Sequence, residues 1–171
     1  RLLYTLFLFN MIVPFQMVMF TLSKLADMMG LNTPWGLWIV YLGFGAGLAV
    51  FIFTGVVKGI PSELEESAMI DGASVPRIFF QIVLPIMRPS LISVAILQTM
   101  WIWNDFLLPL ITLTDQSNQT IPLAQYVFQS QFTSNYPMAF ASYLMAMAPV
   151  LIVYVFAQKW VVGGVMRGAV K

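Results

Sequence analysis

Apolar positions in this chain run in blocks far longer than an amphipathic helix or a half-buried strand needs, separated by shorter polar connections. Four blocks, residues 2–22, 35–57, 89–113 and 138–160, reach the roughly 20 residues that a helix needs to cross a hydrocarbon core. Between the first two, SKLADMMGLNTP carries a Gly and a Pro that end one helix and start another. Between the last two, the connection over residues 114–137 is longer, polar and free of Lys and Arg. The segment 58–88 is of another kind, charged and rich in small residues, and its punctuation predicts two short helices. Ser62 follows Pro61 and precedes Glu65 by three positions, a capping box, while Glu63, Glu65 and Glu66 put negative charge at a helix N-terminus. Asp71-Gly72 predicts a left-handed stop. Ser74 is expected to cap a second helix with Pro76 in its first turn, which Leu84-Pro85 ends or kinks. The fold class that follows is an all-α membrane protein with four transmembrane helices and a helix-turn-helix loop between the second and third.

Composition agrees. The chain is 60% hydrophobic and 9% charged, with a mean hydropathy of +0.85, where soluble domains are about 25% charged. A net charge of +1 gives no reason to expect nucleic acid or another polyanion as partner. With neither Cys nor His, disulfides, thiol chemistry and the commonest metal ligands and general bases are missing, so neither a metal site nor a catalytic constellation is expected. The chain starts at Arg1, directly in an apolar run without the layout of a signal peptide, and reads as a piece of a longer protein. Basic residues set the orientation: Arg1, Lys58, Arg77, Arg88, Lys159, Arg167 and Lys171 fall on one side and only Lys24 on the other. That distribution predicts a multi-pass protein with its start, the 58–88 loop and the 161–171 tail in the cytoplasm, and the 114–137 loop outside. Trp35, Tyr136 and Trp160 are expected near the interfaces.

Within the spans, the polar residues are the costly ones. Asn10, about 12 Å into the first span, and Gln16 either line a pathway or hydrogen-bond a neighbouring helix. Pro14 between them predicts a kink. In the third span Trp103, Asn104 and Asp105 are candidate pathway residues, with Asp105 about 24 Å along from Arg88 and so toward the outer interface. A packing or capping role for Asp105 beside Pro109 is the alternative. Gly43-Phe44-Gly45-Ala46-Gly47 looks superficially like a nucleotide loop but lacks the Lys-Ser/Thr of a phosphate loop, the preceding strand and the following acid. Gly43 and Gly47 have instead the spacing that lets membrane helices approach closely. No nucleotide cofactor is therefore expected in this chain, and any use of ATP must come from a partner.

Glu66-Ser67-Ala68, then Gly72 after three residues, Ile82 after nine more, and Leu84-Pro85 after one, form a long-spaced pattern. It resembles the signature of the integral-membrane subunits of binding-protein-dependent ABC importers, with Ser67 as its single departure, where the family usually has Ala. Trp103-Asn104-Asp105-Phe106 and the Gly-rich basic stretch from Gly163 to Lys171 are similar to the carbohydrate-importing, maltose-type members. The resemblance implies a coupling helix that docks in a groove of a cytoplasmic ABC ATPase subunit, with Ser67, Ala68, Gly72 and Ala73 permitting close approach and Glu66 and Asp71 supplying charge. Ile82, Leu84 and Pro85 complete the element. It also implies a second permease subunit, an extracytoplasmic solute-binding protein contacted by residues 114–137, ATP bound by the partner only, and a place among the lipids of a bacterial inner membrane. A permease for a polyamine or an amino acid, or half of a secondary transporter, is the alternative function.

Overall fold

The structure is a computed structural model that describes residues 2–126, 129–130, 133–134 and 136–169. It is helical, with one two-residue antiparallel pairing of Gln129 with Ser134 and Ser130 with Thr133. The helices are α1 (Leu2–Ile12), α2 (Phe15–Met28), α3 (Pro34–Lys58), α4 (Ser62–Ile70), α5 (Val75–Ile78), α6 (Leu84–Trp103), α7 (Leu107–Thr112), α8 (Ile121–Gln125) and α9 (Tyr136–Ala169). A π-helical turn, Phe79–Val83, joins α5 to α6 without a break. Among the described residues, Pro34–Lys58, Val75–Trp103 and Tyr136–Phe156 are long and apolar enough to cross a membrane singly.

The expected first span is not one straight helix. α1 and α2 meet at a bend of 104° at Pro14, far more than a kink. Pro14 lacks an N–H and takes an extended conformation (φ −62°, ψ 135°) as the residue before α2, so 11-residue α1 is only about 16 Å long. The third span is displaced as well. The helix runs from Val75 to Trp103 rather than over 89–113, because the wide π turn absorbs Pro85, whose ring would otherwise meet the carbonyl four residues back. Leu84-Pro85 therefore neither ends the second helix of the loop nor separates it from the span. At the other end Asn104 stops α6, and the carboxylate of Asp105 starts α7 by accepting the N–H groups of Leu107 at 3.1 Å and Leu108 at 3.5 Å.

α1 packs on α3, α3 on α6, α6 on α9, and α2 on α7. The α1–α3 crossing is close: a Cβ at Gly47 would stand 2.8 Å from both the Phe7 carbonyl oxygen and Met11 Cγ. At one end of α3, Leu37, Val40 and Tyr41 are buried with Leu108 and Leu113, and Phe15, Leu22 and Phe44 close the cluster. Ser23 Oγ donates to the Ile111 carbonyl at 2.7 Å, tying α2 to α7. At the other end Ile78, Val83 and Met87 are buried against Phe53, Val56 and Ile60. Much of the remaining apolar surface is open, Leu42 at 72% and Leu144 at 69% among it, as expected of helices whose neighbours are lipid or other membrane subunits.

α9 continues to Ala169, so residues 161–169 of the expected tail are helical. Arg1 and Lys171, used above for orientation, lie outside the described residues, as do the side chains of Lys159, Trp160 and Arg167.

Candidate functional site

Two regions concentrate the residues singled out by sequence. The first is α4 and the turn after it. α4 begins one residue earlier than the capping-box pattern requires: Pro61 precedes the helix and Ser62 is its first residue, with no side-chain cap. In helical geometry the Ser62 hydroxyl cannot reach the free N–H groups, so no box forms. Glu63 and Glu65 still occupy the first turn, where the helix dipole favours them. Ser67 Oγ donates to the Glu63 carbonyl at 2.7 Å. The helix ends as the Asp71-Gly72 pattern predicts. Gly72 has φ +79°, its N–H donates to the Met69 carbonyl at 3.0 Å, and the Ala73 N–H donates to the Ala68 carbonyl at 2.9 Å, a reciprocal pair that satisfies two terminal carbonyls. Ser74 stands before α5 in an extended conformation but makes no side-chain cap.

Packing divides the motif into two faces. Ala68, Ala73 and Ile82 lie inward against the Ile78, Val83 and Met87 cluster, so the small size of Ala68 and Ala73 serves contact within this chain. Leu84 is half-buried beside them and Pro85 is exposed. Outward stand Glu66, Ser67, Asp71 and Gly72, joined by Met69 and by Ile70, 86% exposed. Met69 and Ile70 were not singled out by sequence; the available signal was two apolar residues just before a Gly stop on a helix too short to bury them. No heavy atom stands within 4 Å of where a Gly72 Cβ would be.

The second region is the break between α6 and α7. The Tyr41 hydroxyl donates to Asp105 Oδ2 at 2.9 Å, and the other carboxylate oxygen caps α7, so Asp105 fastens α3 to the break. Asn104 Nδ2 donates to the Met100 carbonyl at 2.7 Å, closing the end of α6. Trp103 Nε1 donates to the Ala146 carbonyl at 3.3 Å, tying α6 to α9, and Phe106 packs on Tyr126 at 5.4 Å between ring centroids. Each residue of the run Trp103-Asn104-Asp105-Phe106 thus makes a structural contact of its own.

Beside the break is a cavity of about 1070 Å³ between α3, α6 and the segment before α8, with Trp38, Tyr41, Gln98, Trp103, Gln119 and Thr120 among its lining residues. Of the five candidate pathway residues, only Trp103 lines it. Asn10 lies elsewhere: its Nδ2 donates to the Gly43 carbonyl at 2.9 Å, across the α1–α3 crossing, and Gln16 is exposed on α2. Gln98 was missed, although a lone amide in an apolar helix was there to be read; its Nε2 donates to the Gly45 carbonyl at 2.8 Å. In the connection that follows, Ser117 N–H donates to Asp115 Oδ1 at 2.9 Å, which holds the exposed Asp115 carboxyl below its ordinary range. Gln125 Nε2 donates to the Ser142 carbonyl at 2.9 Å and docks α8 on α9. Residues 127, 128, 131, 132 and 135 of that loop lie outside the described residues.

Comparison with known proteins supplies the family. The family model described as binding-protein-dependent transport system inner membrane component matches residues 1–167. The chain is 41% identical over 169 residues to the probable starch degradation products transport system permease protein AmyC of Thermoanaerobacterium thermosulfurigenes, covering 99% of this chain and 62% of that protein. It is 36% identical over 173 residues to the multiple sugar-binding transport system permease protein MsmG of Streptococcus mutans, covering 100% of this chain and 62% of that one. The arabinooligosaccharides transport system permease protein AraQ of Bacillus subtilis is 35% identical over 172 residues, again over 100% of this chain and 60% of the relative. The chain therefore spans about three-fifths of the length of these relatives. With all but the last two described residues inside the matched range, it belongs to the family of binding-protein-dependent transport system inner membrane components.

Proposed function

We propose that this chain is the ATPase-coupled part of a permease subunit that imports a mono- or oligosaccharide across the inner membrane. The names of its relatives support the substrate class, since they refer to starch degradation products, multiple sugars and arabinooligosaccharides. The observation that carries the coupling role is the two-faced packing of α4. On the inner side Ala68 of α4 and Ala73 of the turn after it pack onto the Ile78, Val83 and Met87 cluster, while Glu66, Met69 and Ile70 of the helix and Asp71 of the turn are presented outward. A close-packed contact of this kind transmits displacement rather than absorbing it. A push on α4 is therefore passed to the 29-residue helix Val75–Trp103, whose far end lines the cavity.

In this reading a separate ABC ATPase subunit binds ATP and engages the outward face of α4. Closure of the ATPase on ATP moves α4, α3 and the Val75–Trp103 helix together and switches which side of the membrane the pathway faces. A second permease subunit covers open apolar surface, and a loaded solute-binding protein biases the same switch from outside through the 114–137 loop, because a ligand shifts a population by its differential affinity for the two states. The 58–88 loop and the C-terminal end lie in the cytoplasm.

A secondary transporter would need an intramembrane charge free to couple an ion. Asp105 is instead engaged by Tyr41 and by two backbone N–H groups. The test is uptake by the full-length permease, reconstituted in proteoliposomes with its ATPase, second permease and binding protein. ATP-dependent uptake of an oligosaccharide is expected. Uptake of an amino acid or polyamine with no sugar transported, or uptake driven by an ion gradient without ATP, would refute the proposal.

A further inference from the structure

Resting on the importer reading above, we infer that α9 bends at Pro149 as the importer switches, with Trp103 as the positioning residue that holds the half of the helix before the proline. Pro149 lies inside the 34-residue helix Tyr136–Ala169. It has no N–H to offer the Met145 carbonyl, and its ring crowds that oxygen, so α9 resists bending least at this point. In a membrane, neighbouring helices re-satisfy the backbone that a proline frees. Here the Trp103 indole on α6 donates to the Ala146 carbonyl at 3.3 Å, one residue beyond Met145.

The two halves of α9 are held differently. Before the proline, Ala139 is buried, Gln125 Nε2 donates to the Ser142 carbonyl at 2.9 Å, and Trp103 fastens Ala146. After it, Leu151 through Phe156 are all exposed. Between this half and α6 is an apolar gap of about 100 Å³, bounded by Ile96, Thr99 and Met100 on one side and by Pro149, Val153 and Tyr154 on the other. Small-molecule sites start at roughly 300 Å³, so the gap offers room for movement rather than for a ligand. Close-packed interiors resist displacement, whereas a weak point in a helix beside unfilled space yields. The half after Pro149 therefore swings against α6 while the half before it stays docked.

Phe156 is seven residues past Pro149, about 10 Å along the helix, and a bend of about 20° moves it by roughly 3–4 Å. The measurement uses spin labels in the complete importer, in lipid nanodiscs, nucleotide-free and trapped with ATP and vanadate. One pair is Leu97→Cys with Phe156→Cys and the other Leu97→Cys with Leu144→Cys, all at exposed positions. The first distance should change between the two states and the second stay fixed. Pro149→Ala returns an N–H to the Met145 carbonyl and should abolish the change, with the maximal uptake rate lowered about fivefold, the cost of breaking one restored hydrogen bond in each cycle, and KM unaltered. Val153→Phe fills the gap and should abolish the change at wild-type complex yield. Trp103→Phe keeps a ring but loses the N–H, so the fixed Leu97–Leu144 distance should broaden. Equal Leu97–Phe156 distances in the two states overturn the hinge, as does a change that survives both Pro149→Ala and Val153→Phe, or a matching change at Leu144, which means that α9 moves whole. A Leu97–Leu144 distance that stays sharp in Trp103→Phe removes Trp103 from the device. If the wild-type complex takes up no solute when given ATP, the importer reading itself fails; if it transports and the distances do not change, only the hinge fails.

Discussion

Replacing Gly47 with Ala should open the α1–α3 crossing, and the size of the effect follows from the atoms around it. The added methyl would stand 2.8 Å from the Phe7 carbonyl oxygen and 2.8 Å from Met11 Cγ. The Met11 side chain can swing away, but the Phe7 oxygen is backbone and moves only if α1 moves. Overpacking of this kind typically costs about 1–3 kcal/mol. Displacing α1 also strains the bond from Asn10 to the Gly43 carbonyl at 2.9 Å, and an interhelical hydrogen bond in a membrane is worth about 0.6 and up to roughly 1.7 kcal/mol. The expected total is about 2–4 kcal/mol. Gly43→Ala is the control on the same helix. No heavy atom stands within 4 Å of its Cβ position, so it should be neutral or up to about 1 kcal/mol stabilising through helix propensity. Denaturant unfolding of the full-length permease in detergent micelles, with Asn10→Ala and the double variant, completes a cycle. Because both changes break one crossing, Gly47→Ala and Asn10→Ala should be less than additive. Equal effects of the two Gly variants, or full additivity with Asn10→Ala, would refute the close crossing.

Tyr41→Phe leaves Asp105 Oδ2 without its donor at the α6–α7 break and should cost about 1–3 kcal/mol, read as a lower melting temperature in detergent; an unchanged value would show that the bond does not hold the break. In Gly72→Trp the new Cβ has open space around it, but the substitution forces a side chain into φ +79°, at about 1–2 kcal/mol. Membrane insertion should survive while substrate-stimulated ATP hydrolysis is lost, with Gly72→Asn milder because Asn tolerates the left-handed conformation; normal stimulation in Gly72→Trp would remove the outward face of α4 from coupling. Ser74→Cys and Ser117→Cys, both at exposed positions, should react with an impermeant thiol reagent from opposite sides of the membrane, and labelling from the same side would overturn the orientation.

What could be read without coordinates was whatever depends on run length or on residues within a turn of one another. The apolar blocks required helices in a membrane because backbone groups there must be satisfied within their own segment. The Asp71-Gly72 stop was legible because a left-handed residue after a short acidic helix is a local requirement, and φ +79° at Gly72 meets it. The close approach at Gly47 was visible in the spacing to Gly43, though only Gly47 touches its neighbour. The rest needed neighbours distant in sequence. Whether Ala68 faces a partner or its own chain depends on where Met87 and Phe53 lie. Whether Asn10 lines a pathway or pins a helix depends on a carbonyl 33 residues away, and Asp105 is a fastener because Tyr41, 64 residues back, points at it. The 104° turn at Pro14 and the π turn that carries the helix past Pro85 show the same division. A proline announces that its helix is perturbed, since the lost N–H and the clash are properties of its ring, but the packing on either side sets how far the chain bends.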